Sequence, residues 1–390
     1  MIFLLDQKQN TVDALQFWEE LKAAPAATIP KFDVRRSGDA TSTGTNDWES
    51  VHAYLPELSK ATVISYALLP RELLIWTFDD RGVHSRHIDI SAAQLSTSAA
   101  SFRELCSKPS SDPLLIRKQA RHLYDQLVAP IEAYLQTGRS LIVELDEDLD
   151  GIPMEALLDP SNHYLGERAT IISSLGLFYS PLGTVAHRIT NETPALVVAV
   201  AAPHSDIEGN VAALPDVDEE AQAVASLFSM AHLVEGQSAS LTATAEGIPE
   251  DGIFHFAGHA SNSYVKPGLL LSDQTLTVRS LENLKVQKAQ LVVLSACTSE
   301  VGALGSAGAS DSLVGYFARA GVPRIVASRW NIDSSLTRRF MSEFYTRLLK
   351  GSSVEESLSQ AQSVLRAQST SAHPFYWAGF TVFGAGRSGE

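Results

Sequence analysis

The sequence predicts an α/β protein built on a mostly parallel sheet with helices on both faces. From Pro194 onward, short apolar segments alternate with segments of helical periodicity, which is the pattern of strands joined by crossover helices. The apolar segments are continuous runs, such as Ala195 to Ala202, and such runs are typical of strands buried on both faces. Two of these predicted strands end in reactive side chains, His259 and Cys297.

The composition is that of a globular protein, and it disfavours several classes of partner. The 390 residues are enough for two or three domains, and 45% of them are hydrophobic while 19% are charged. A net charge of −15 disfavours nucleic acid as the main partner, because phosphate binding needs a basic surface. Two cysteines are too few for a disulfide framework, and no signal peptide or membrane-length apolar segment is recognised. We therefore expect a cytoplasmic protein with no membrane contact.

The first half of the chain is less regular than the second. Its predicted elements are a helix over Thr11 to Ala24, a surface loop over Ser37 to Asp47, a hairpin of Ala61 to Leu68 with Leu73 to Phe78, a helix over Ile116 to Leu135 and a strand over Ser140 to Leu145. Pro70 marks the hairpin turn, and Pro130 should kink or divide the long helix, because proline lacks the amide hydrogen that a helix interior needs.

The second half is expected to hold the alternating sheet. Its predicted elements are strand Ala195 to Ala202, helix Glu219 to Ser229, strand His232 to Glu235, helix Leu241 to Ala245, a strand ending at His259, a hairpin around Asp273, helix Val278 to Leu284, a strand ending near Cys297, helix Ser312 to Ala320, strand Arg324 to Trp330, helices Ser334 to Leu349 and Val354 to Ala367, and strand Phe375 to Phe383. A boundary between 184 and 193 separates the halves, so we expect segments 1–60, 61–190 and 191–386.

An acidic turn in the first half suggests calcium at first sight. Asp146, Asp148 and Asp150 alternate, and Gly151 stands at the sixth position of a calcium loop that would begin at Asp146. The twelfth position is Leu157, where such a loop needs a bidentate carboxylate. We interpret the segment as a solvated turn that leads into a short helix.

His259 and Cys297 form the candidate catalytic pair. If their strands are parallel neighbours, the carboxyl ends lie side by side at the edge where open α/β sheets hold their sites. An imidazole there can accept the thiol proton, since a thiol attacks a carbonyl only as thiolate. A cysteine that ends an apolar strand is also compatible with a small core side chain. Because two such strand ends occur in successive units, a catalytic role for the pair is favoured over a purely structural one.

Other catalytic and metal-binding patterns are weaker. On a strand, His255 and His259 would lie on the same face about 13 Å from each other, which is too far for both to bind one metal ion. We therefore interpret His255 as structural. No Gly-x-Ser-x-Gly elbow occurs, and the glycine-rich segment from Gly302 to Gly308 lacks a dinucleotide or P-loop pattern. The sequence implies no metal and no cofactor.

Several motifs, in this order, resemble the CHAT family, whose members are related to caspases, metacaspases and separase. The matching segments are Leu141-Ile-Val-Glu-Leu145, Gly151-Ile-Pro-Met-Glu155, Tyr164-Leu-Gly-Glu167, Phe254-His-Phe-Ala-Gly-His259, Leu294-Ser-Ala-Cys297-Thr298, Ala320 to Trp330 and His373 to Phe380. The resemblance implies a caspase-like three-layer αβα sandwich with a mostly parallel sheet over 191–386. A degenerate caspase-like half, a pseudo-protease, is expected before it over 61–190.

The resemblance also implies roles for individual residues. Cys297 would be the nucleophile of a cysteine endopeptidase and His259 its general base, and the backbone amides of Cys297 and Ala260 would form the oxyanion hole. The family usually has glycine where this chain has Ala260, and the extra methyl group narrows the backbone conformations available there. Trp330 and Arg329 would lie along the substrate groove, where an extended peptide can pair by strand addition.

Two acidic residues are candidates for the pocket that determines specificity. Family relatives that prefer Arg or Lys place a carboxylate there, and Glu300 and Asp311 are close enough to Cys297 in sequence to supply it. Asp311 could equally cap the helix that begins near Ser312, and Glu300 could be a solvated loop residue.

The resulting hypothesis is proteolysis of one or a few cytosolic proteins, controlled by a regulatory protein partner or a signal in bacterial defence or stress signalling. A catalytically idle caspase-like scaffold for protein–protein interaction is the alternative, motivated by Ala260. A thiol hydrolase acting on a small amide would use the same pair, and it would need a deep closed pocket rather than an open groove.

Overall fold

The computed structural model of the chain describes residues 11–23, 55–176, 185–203, 213–214, 216–261, 268–284, 289–296, 312–331, 334–384 and 387–388. The loop expected over Ser37 to Asp47 lies outside these residues. In the described part of the chain, no helix is both long and apolar enough to cross a membrane.

The first half contains five strands of the main sheet and its covering helices. In order they are α1 (Thr11–Ala23), β1 (Ala61–Leu69), β2 (Glu72–Asp79), β3 (Gly82–Asp89), α2 (Ala92–Cys106), α3 (Pro113–Leu127), β4 (Ser140–Glu144), α4 (Leu165–Arg168) and β5 (Ile171–Ser173). Short 3-10 segments cover Leu55–Lys60, Ala129–Tyr134, Glu147–Leu149 and Met154–Ala156.

The second half alternates strands and helices. Its elements are β6 (Val185–Ala186), β7 (Ala195–Ala199), α5 (Val217–Ala225), β8 (Ala231–Glu235), a 3-10 turn (Gly236–Ser238), α6 (Leu241–Gly247), β9 (Ile253–Gly258), β10 (Ala260–Ser261), β11 (Gly268–Leu270), β12 (Thr275–Leu276), α7 (Val278–Leu284), β13 (Leu291–Ala296), α8 (Leu313–Arg319), β14 (Arg324–Ser328), α9 (Ser334–Leu349), α10 (Val354–Arg366), α11 (Pro374–Trp377), β15 (Phe380–Phe383) and β16 (Arg387–Ser388).

Both halves contribute to one sheet of eleven strands. The strand order is β3-β2-β1-β4-β5-β15-β14-β13-β9-β7-β8. Parallel pairs run from β1 through β4 and β5 to β15, and from β14 through β13, β9 and β7 to β8. The hairpin pairs β1·β2 and β2·β3 and the pair β14·β15 are antiparallel. The expected mostly parallel α/β architecture is therefore confirmed.

The two halves meet where β5 pairs with β15. Ser173 is opposite Phe383, its carbonyl oxygen accepts the amide hydrogen of Gly384 at 3.0 Å, and its hydroxyl lies 2.8 Å from that of Thr381. The junction is a short piece of regular parallel pairing, supplemented by a side-chain hydrogen bond. The sheet is thus continuous from one half to the other.

Helices cover both faces of the sheet, which gives the three layers. Along β7, Ala195 and Val197 pack in a core with α5, α9 and α10, whereas Leu196 and Val198 pack in a second core with α6 and α8. Because successive residues of a strand point to opposite faces, this alternation shows that the strand is buried on both sides. It explains why the strands of this half are uninterrupted apolar runs.

Helix α1 covers a charged cluster on the first half of the sheet. Glu19 and Glu144 are almost completely buried, and the Lys22 ammonium group lies between them, 2.5 Å from Glu19 Oε1 and 3.2 Å from Glu144 Oε2. Ser65, opposite Glu144 on β1, donates its hydroxyl hydrogen to Glu19. Burial and the nearby Glu19 raise the pKa of Glu144 to about 7.

Most predicted elements are present with boundaries shifted by a few residues, and the long helix divides as expected. Helix α3 ends at Leu127, and the 3-10 segment with Pro130 near its start follows. The strand expected over Phe375 to Phe383 is wrong in its first half, which is the short helix α11. His373 caps that helix by accepting the Phe375 amide hydrogen, and Pro374 suits its first turn.

The acidic turn holds its carboxylates by backbone hydrogen bonds. Asp146 accepts the amide hydrogens of Leu68 and Asp148, and it caps the 3-10 segment Glu147–Leu149. The segment is a turn, as the sequence predicts, but the expectation that it is solvated is wrong for Asp146, which is buried and connects the turn to the end of β1.

Candidate functional site

The carboxyl ends of β9 and β13 lie side by side. The two strands are parallel, and their register pairs Gly258 with Ala296. His259 follows Gly258 at this edge and is half-buried. Cys297 is the next residue in the sequence after Ala296, and it lies outside the described residues. One member of the predicted pair is therefore located at the sheet edge where it was expected.

The backbone around His259 is tightly held. Its carbonyl oxygen accepts the Leu270 amide hydrogen at 2.9 Å, and Ala260 pairs with Leu269 in the small sheet β10-β11-β12. Gly258 has no room for a side chain, since a Cβ atom would lie 2.9 Å from the Phe256 ring and 3.1 Å from the Val200 carbonyl oxygen. The imidazole therefore projects from a backbone fixed on both sides.

A small open cleft of about 40 Å³ lies at the ends of β9, β13 and β14, on the face covered by α5 and α9. Its lining combines an apolar wall with hydroxyl, amide and carboxylate groups: Leu214, Val217, Glu220, Gly258, Ser295, Ala296, Ser328, Trp330, Asn331, Thr337 and Phe380. Ser328 donates its hydroxyl hydrogen to the Ala296 carbonyl oxygen, so the ends of β13 and β14 are joined beside the cleft. The lining thus offers both apolar and polar contacts at the sheet edge.

A buried polar network lies beneath the cleft. His255, fully buried on β9, has Nδ1 3.0 Å from the Tyr345 hydroxyl and Nε2 3.2 Å from Glu220 Oε1. The tautomer with its proton on Nε2 satisfies both partners, donating to Glu220 and accepting from Tyr345. Burial, and secondarily the Glu220 charge, raise the pKa of Tyr345 well above its usual range, which keeps its hydroxyl protonated. These contacts agree with the structural interpretation of His255.

Trp330 and Arg329 occupy different surroundings, although they are adjacent in sequence. The Trp330 side chain lines the cleft, and its indole nitrogen donates to the Phe375 carbonyl oxygen at 3.0 Å. The Arg329 guanidinium is buried against the first half of the chain, 2.5 Å from Glu155 Oε1 and 3.1 Å from the Ala378 carbonyl oxygen. Its charge is thus engaged by Glu155. Contact of Arg329 with a substrate stays a prediction.

The other predicted site residues are not brought into view. Glu300 and Asp311, the candidates for the specificity pocket, both lie outside the described residues. Cys106 is buried, and burial raises the pKa of its thiol far above the usual range, so this cysteine has none of the properties of a nucleophile. In the described ranges, no group of three or more His, Cys, Asp or Glu side chains could hold a metal ion.

Sequence reasoning missed much of the cleft. Ser295 and Ser328 are polar residues near the ends of buried strands, and the strand pattern could have identified them by the argument used for His259. Glu220 and Thr337 come from helices α5 and α9, and no local signal relates them to the sheet edge. Glu155 ends the Gly151-Ile-Pro-Met-Glu155 motif, but its pairing with Arg329 joins residues far apart in sequence.

The comparison with separase agrees with this architecture. The solved structure of the separase–securin complex of Saccharomyces cerevisiae superposes on this chain with a TM-score of 0.54 and 10% sequence identity, covering 86% of this chain and 31% of that chain. The complex of pro- and mature domains of Porphyromonas gingivalis RgpB has a TM-score of 0.42 and 13% identity, over 75% and 76% of the two chains. The likeness to separase concerns the fold.

Two curated relatives and one family model also match. Tetratricopeptide repeat protein 28 of Mus musculus is 27% identical over 344 residues, and that of Homo sapiens is 23% identical over 335 residues. Each match covers 72% of this chain, and the chain spans 14% of the length of these relatives. The CHAT domain model matches residues 117–385, which is more than half of the chain. With a caspase-like sheet and His259 at its carboxyl edge, the chain belongs to the CHAT domain family.

Proposed function

We propose that this protein is a cysteine endopeptidase in which Cys297 is the nucleophile and His259 the general base. The observation that carries the proposal is the register of β9 and β13, which pairs Gly258 with Ala296 at the carboxyl edge. The two candidate residues follow this pair in the sequence, and neighbouring strands lie about 4.8 Å apart. A short loop beginning at that pair suffices to bring a thiol within reach of the imidazole.

The proposed reaction needs no group beyond this pair and backbone amides. His259 accepts the Cys297 thiol proton, and the thiolate attacks the carbonyl carbon of the scissile peptide bond. The amides of Cys297 and Ala260 stabilise the negative oxygen of the tetrahedral intermediate. His259 then donates its proton to the leaving amine as the C–N bond breaks. Water finally hydrolyses the thioester, which releases the acid and regenerates the thiol.

The cleft supports a peptide substrate. It lies at the ends of the strands that carry the proposed pair, and Trp330 forms part of its wall. An extended peptide at this edge could direct the tip of the side chain preceding the scissile bond toward the cleft. In this proposal Glu300 and Asp311 are the candidates for the specificity pocket. Trp330 shapes the cleft, and its indole is held by the Phe375 carbonyl oxygen.

The proposal extends to the setting of the reaction. We propose cytosolic protein substrates and control by a protein partner, and we keep bacterial defence or stress signalling as the predicted role. The separase neighbour was solved in complex with securin, and the curated relatives are named as tetratricopeptide repeat proteins. Both facts are compatible with control through protein contacts.

Alkylation kinetics test the proposed pair directly. Purified protein is treated with iodoacetamide across a range of pH, and labelling of Cys297 and Cys106 is quantified by peptide mass spectrometry. Cys297 should react faster than a model peptide thiol near neutral pH, and His259→Ala should remove this advantage. Cys106 is the internal control, since its burial should prevent labelling of the native protein. Labelling of Cys297 no faster than the model thiol would contradict the proposal.

The substrates can be found from new amino termini. Host lysate is mixed with wild-type protein or with Cys297→Ala, and amino-terminal peptides are compared by mass spectrometry. Peptidase activity predicts a small set of new termini that is absent with Cys297→Ala and with His259→Ala. Hydrolysis of small amides without new protein termini would favour the thiol hydrolase interpretation instead.

An idle scaffold is the second candidate function, and Ala260 is the observation that favours it. The family usually has glycine at this position, and Ala260 is held in the β10–β11 pair beside His259. Ala260→Gly provides the test, because it restores the usual residue without touching the pair. If Ala260 makes the site idle, the wild type produces no new termini and Ala260→Gly produces them. Cleavage by the wild type that disappears in Cys297→Ala excludes that hypothesis.

A further inference from the structure

The outer face of α3 carries exposed leucines beside cations, on a protein whose overall charge is strongly negative. Leu114 is 75% exposed and Leu115 is 42% exposed, and among the described residues Met230 is the one other large hydrophobic side chain that is exposed. Arg117, Lys118 and Arg121 follow on the next two turns. These five residues are named the basic leucine stripe. The stripe is a local concentration of cations on a chain with a net charge of −15.

The stripe is a surface of the folded protein and not a misplaced core. The opposite side of α3 supplies the buried contacts, through Ile116, Ala120, Leu123, Tyr124 and Leu127. Asp112 accepts the Leu114 amide hydrogen at 2.9 Å and so fixes the start of the helix. The two leucines are not among the buried residues of this helix.

The two arginines are held together without a counter-ion. Their Nη2 atoms lie 3.4 Å (Arg117) and 3.2 Å (Arg121) from the same acceptor, Asn162 Oδ1. Asn162 has a positive φ of 66° in a turn that Asp159 stabilises by accepting the Ser161 and His163 amide hydrogens. Two like charges four residues apart on a helix repel each other.

The arginines also have unused capacity for hydrogen bonds. No carboxylate in the described part of the chain forms an ion pair with Arg117, Lys118 or Arg121, and Arg121 Nε is buried without a hydrogen-bond partner. The nearest acidic residue along the exposed face is Asp125, one turn beyond Arg121. A carboxylate brought by another molecule would supply the missing negative charge.

We propose that the basic leucine stripe is a docking site for an acidic, leucine-containing segment of a partner protein. From Leu114 to Arg121 the helix rises about 10 Å, which equals two turns of a partner helix. Carboxylates one turn apart would engage the arginines, while apolar side chains would cover Leu114 and Leu115. A free phosphate would leave the leucines exposed. An anionic bilayer is disfavoured, since the net charge of −15 would be repelled from its surface.

The test uses a defined probe and the whole protein. A fluorescein-labelled helical peptide with glutamates at i and i+4 and leucines on the same face is titrated by fluorescence anisotropy at several salt concentrations. We expect binding that Arg117→Gln/Arg121→Gln weakens by about tenfold or more, with a smaller dependence on salt. Leu114→Ser/Leu115→Ser should weaken binding by about tenfold and leave the dependence on salt unchanged.

A charge-matched control separates this site from general attraction. Arg71→Gln/Arg339→Gln removes two arginines from other elements and should bind the peptide like the wild type. The proposal is overturned if this control weakens binding as much as the stripe variant does, or if the peptide does not bind at all. It is also overturned if glutamate peptide without leucine or inorganic phosphate binds as tightly through the stripe. Stripe-dependent binding to phosphatidylserine vesicles, with no binding of the peptide, would indicate a membrane surface instead. None of these outcomes depends on peptidase activity.

Discussion

Replacing Glu155 with glutamine should destabilise the protein and loosen the wall of the cleft. Glu155 and Arg329 are 3% and 6% exposed, and their charged atoms are 2.5 Å apart. Removing one charge of a buried ion pair leaves the other without compensation, which typically costs about 3–5 kcal/mol. Glutamine keeps one acceptor for the guanidinium, so we expect a loss of about 2–3 kcal/mol, in the range of a hydrogen bond to a charged group.

Urea unfolding followed by tryptophan fluorescence measures this loss. Arg329→Met removes the partner charge and keeps most of the aliphatic volume. The double variant Glu155→Gln/Arg329→Met should lose less than the sum of the two single variants, because both charges are then absent. The matched control is Glu104→Gln, which removes an exposed ion pair with Lys108 and should leave the unfolding midpoint unchanged.

The result also bears on the cleft. Arg329 precedes Trp330 in the chain, and the Trp330 indole is held by the Phe375 carbonyl oxygen. We expect Glu155→Gln to shift the Trp330 emission toward that of a solvated indole under conditions where the protein is still folded. A Glu155→Gln protein as stable as the wild type, or single-variant losses that simply add, would refute the reasoning that the pair is coupled and buried.

Three further outcomes are expected. Burial and Glu19 raise the pKa of Glu144 to about 7, so between pH 4.5 and 7 the folded state binds a proton that the unfolded state releases. The free energy of unfolding should therefore fall by about 3 kcal/mol as the pH rises through this window. The urea midpoint of Glu144→Gln should vary less with pH, and identical pH profiles of the wild type and this variant would contradict the assignment. Tyr345→Phe leaves His255 Nδ1 buried without its partner and should cost about 1–3 kcal/mol, measured by the same unfolding midpoint, and an unchanged midpoint would count against the network. Cys106 should react with a thiol reagent at the rate of global unfolding, and reaction in the native baseline would show that it is accessible.

The sequence was sufficient for the elements that are buried on both faces. β9 and β13 are continuous apolar runs, so their existence, direction and polar ends could be predicted, and with them the position of His259. β3 was missed because it is an edge strand, whose sequence includes His84, Arg86 and His87 and has no apolar run. Helix α2 was missed too, since its serines and threonine weaken the helical pattern.

The cleft depended on contacts that no local pattern encodes. Trp330 could be placed from its strand and from the family resemblance, and the structure finds its side chain in the cleft wall. Its neighbour Arg329 points instead toward Glu155, because a guanidinium at this position finds a buried carboxylate from the first half of the chain. Glu220 contributes from a helix that crosses the sheet face. Which helical residues face a strand end depends on the packing of helices against the sheet, and a single sequence does not specify this at the level of one side chain.

Because β5 pairs with β15, removing the first half of this chain should promote aggregation. A fragment beginning after Thr193 would retain the candidate residues but would expose one edge of β15, a strand whose four residues are all buried in the whole protein. Unpaired edges of apolar strands recruit other chains and promote aggregation. Expression of the second half alone should therefore yield insoluble or self-associated material. By pairing β5 with β15, the first half covers a strand edge through which copies of the second half would otherwise associate.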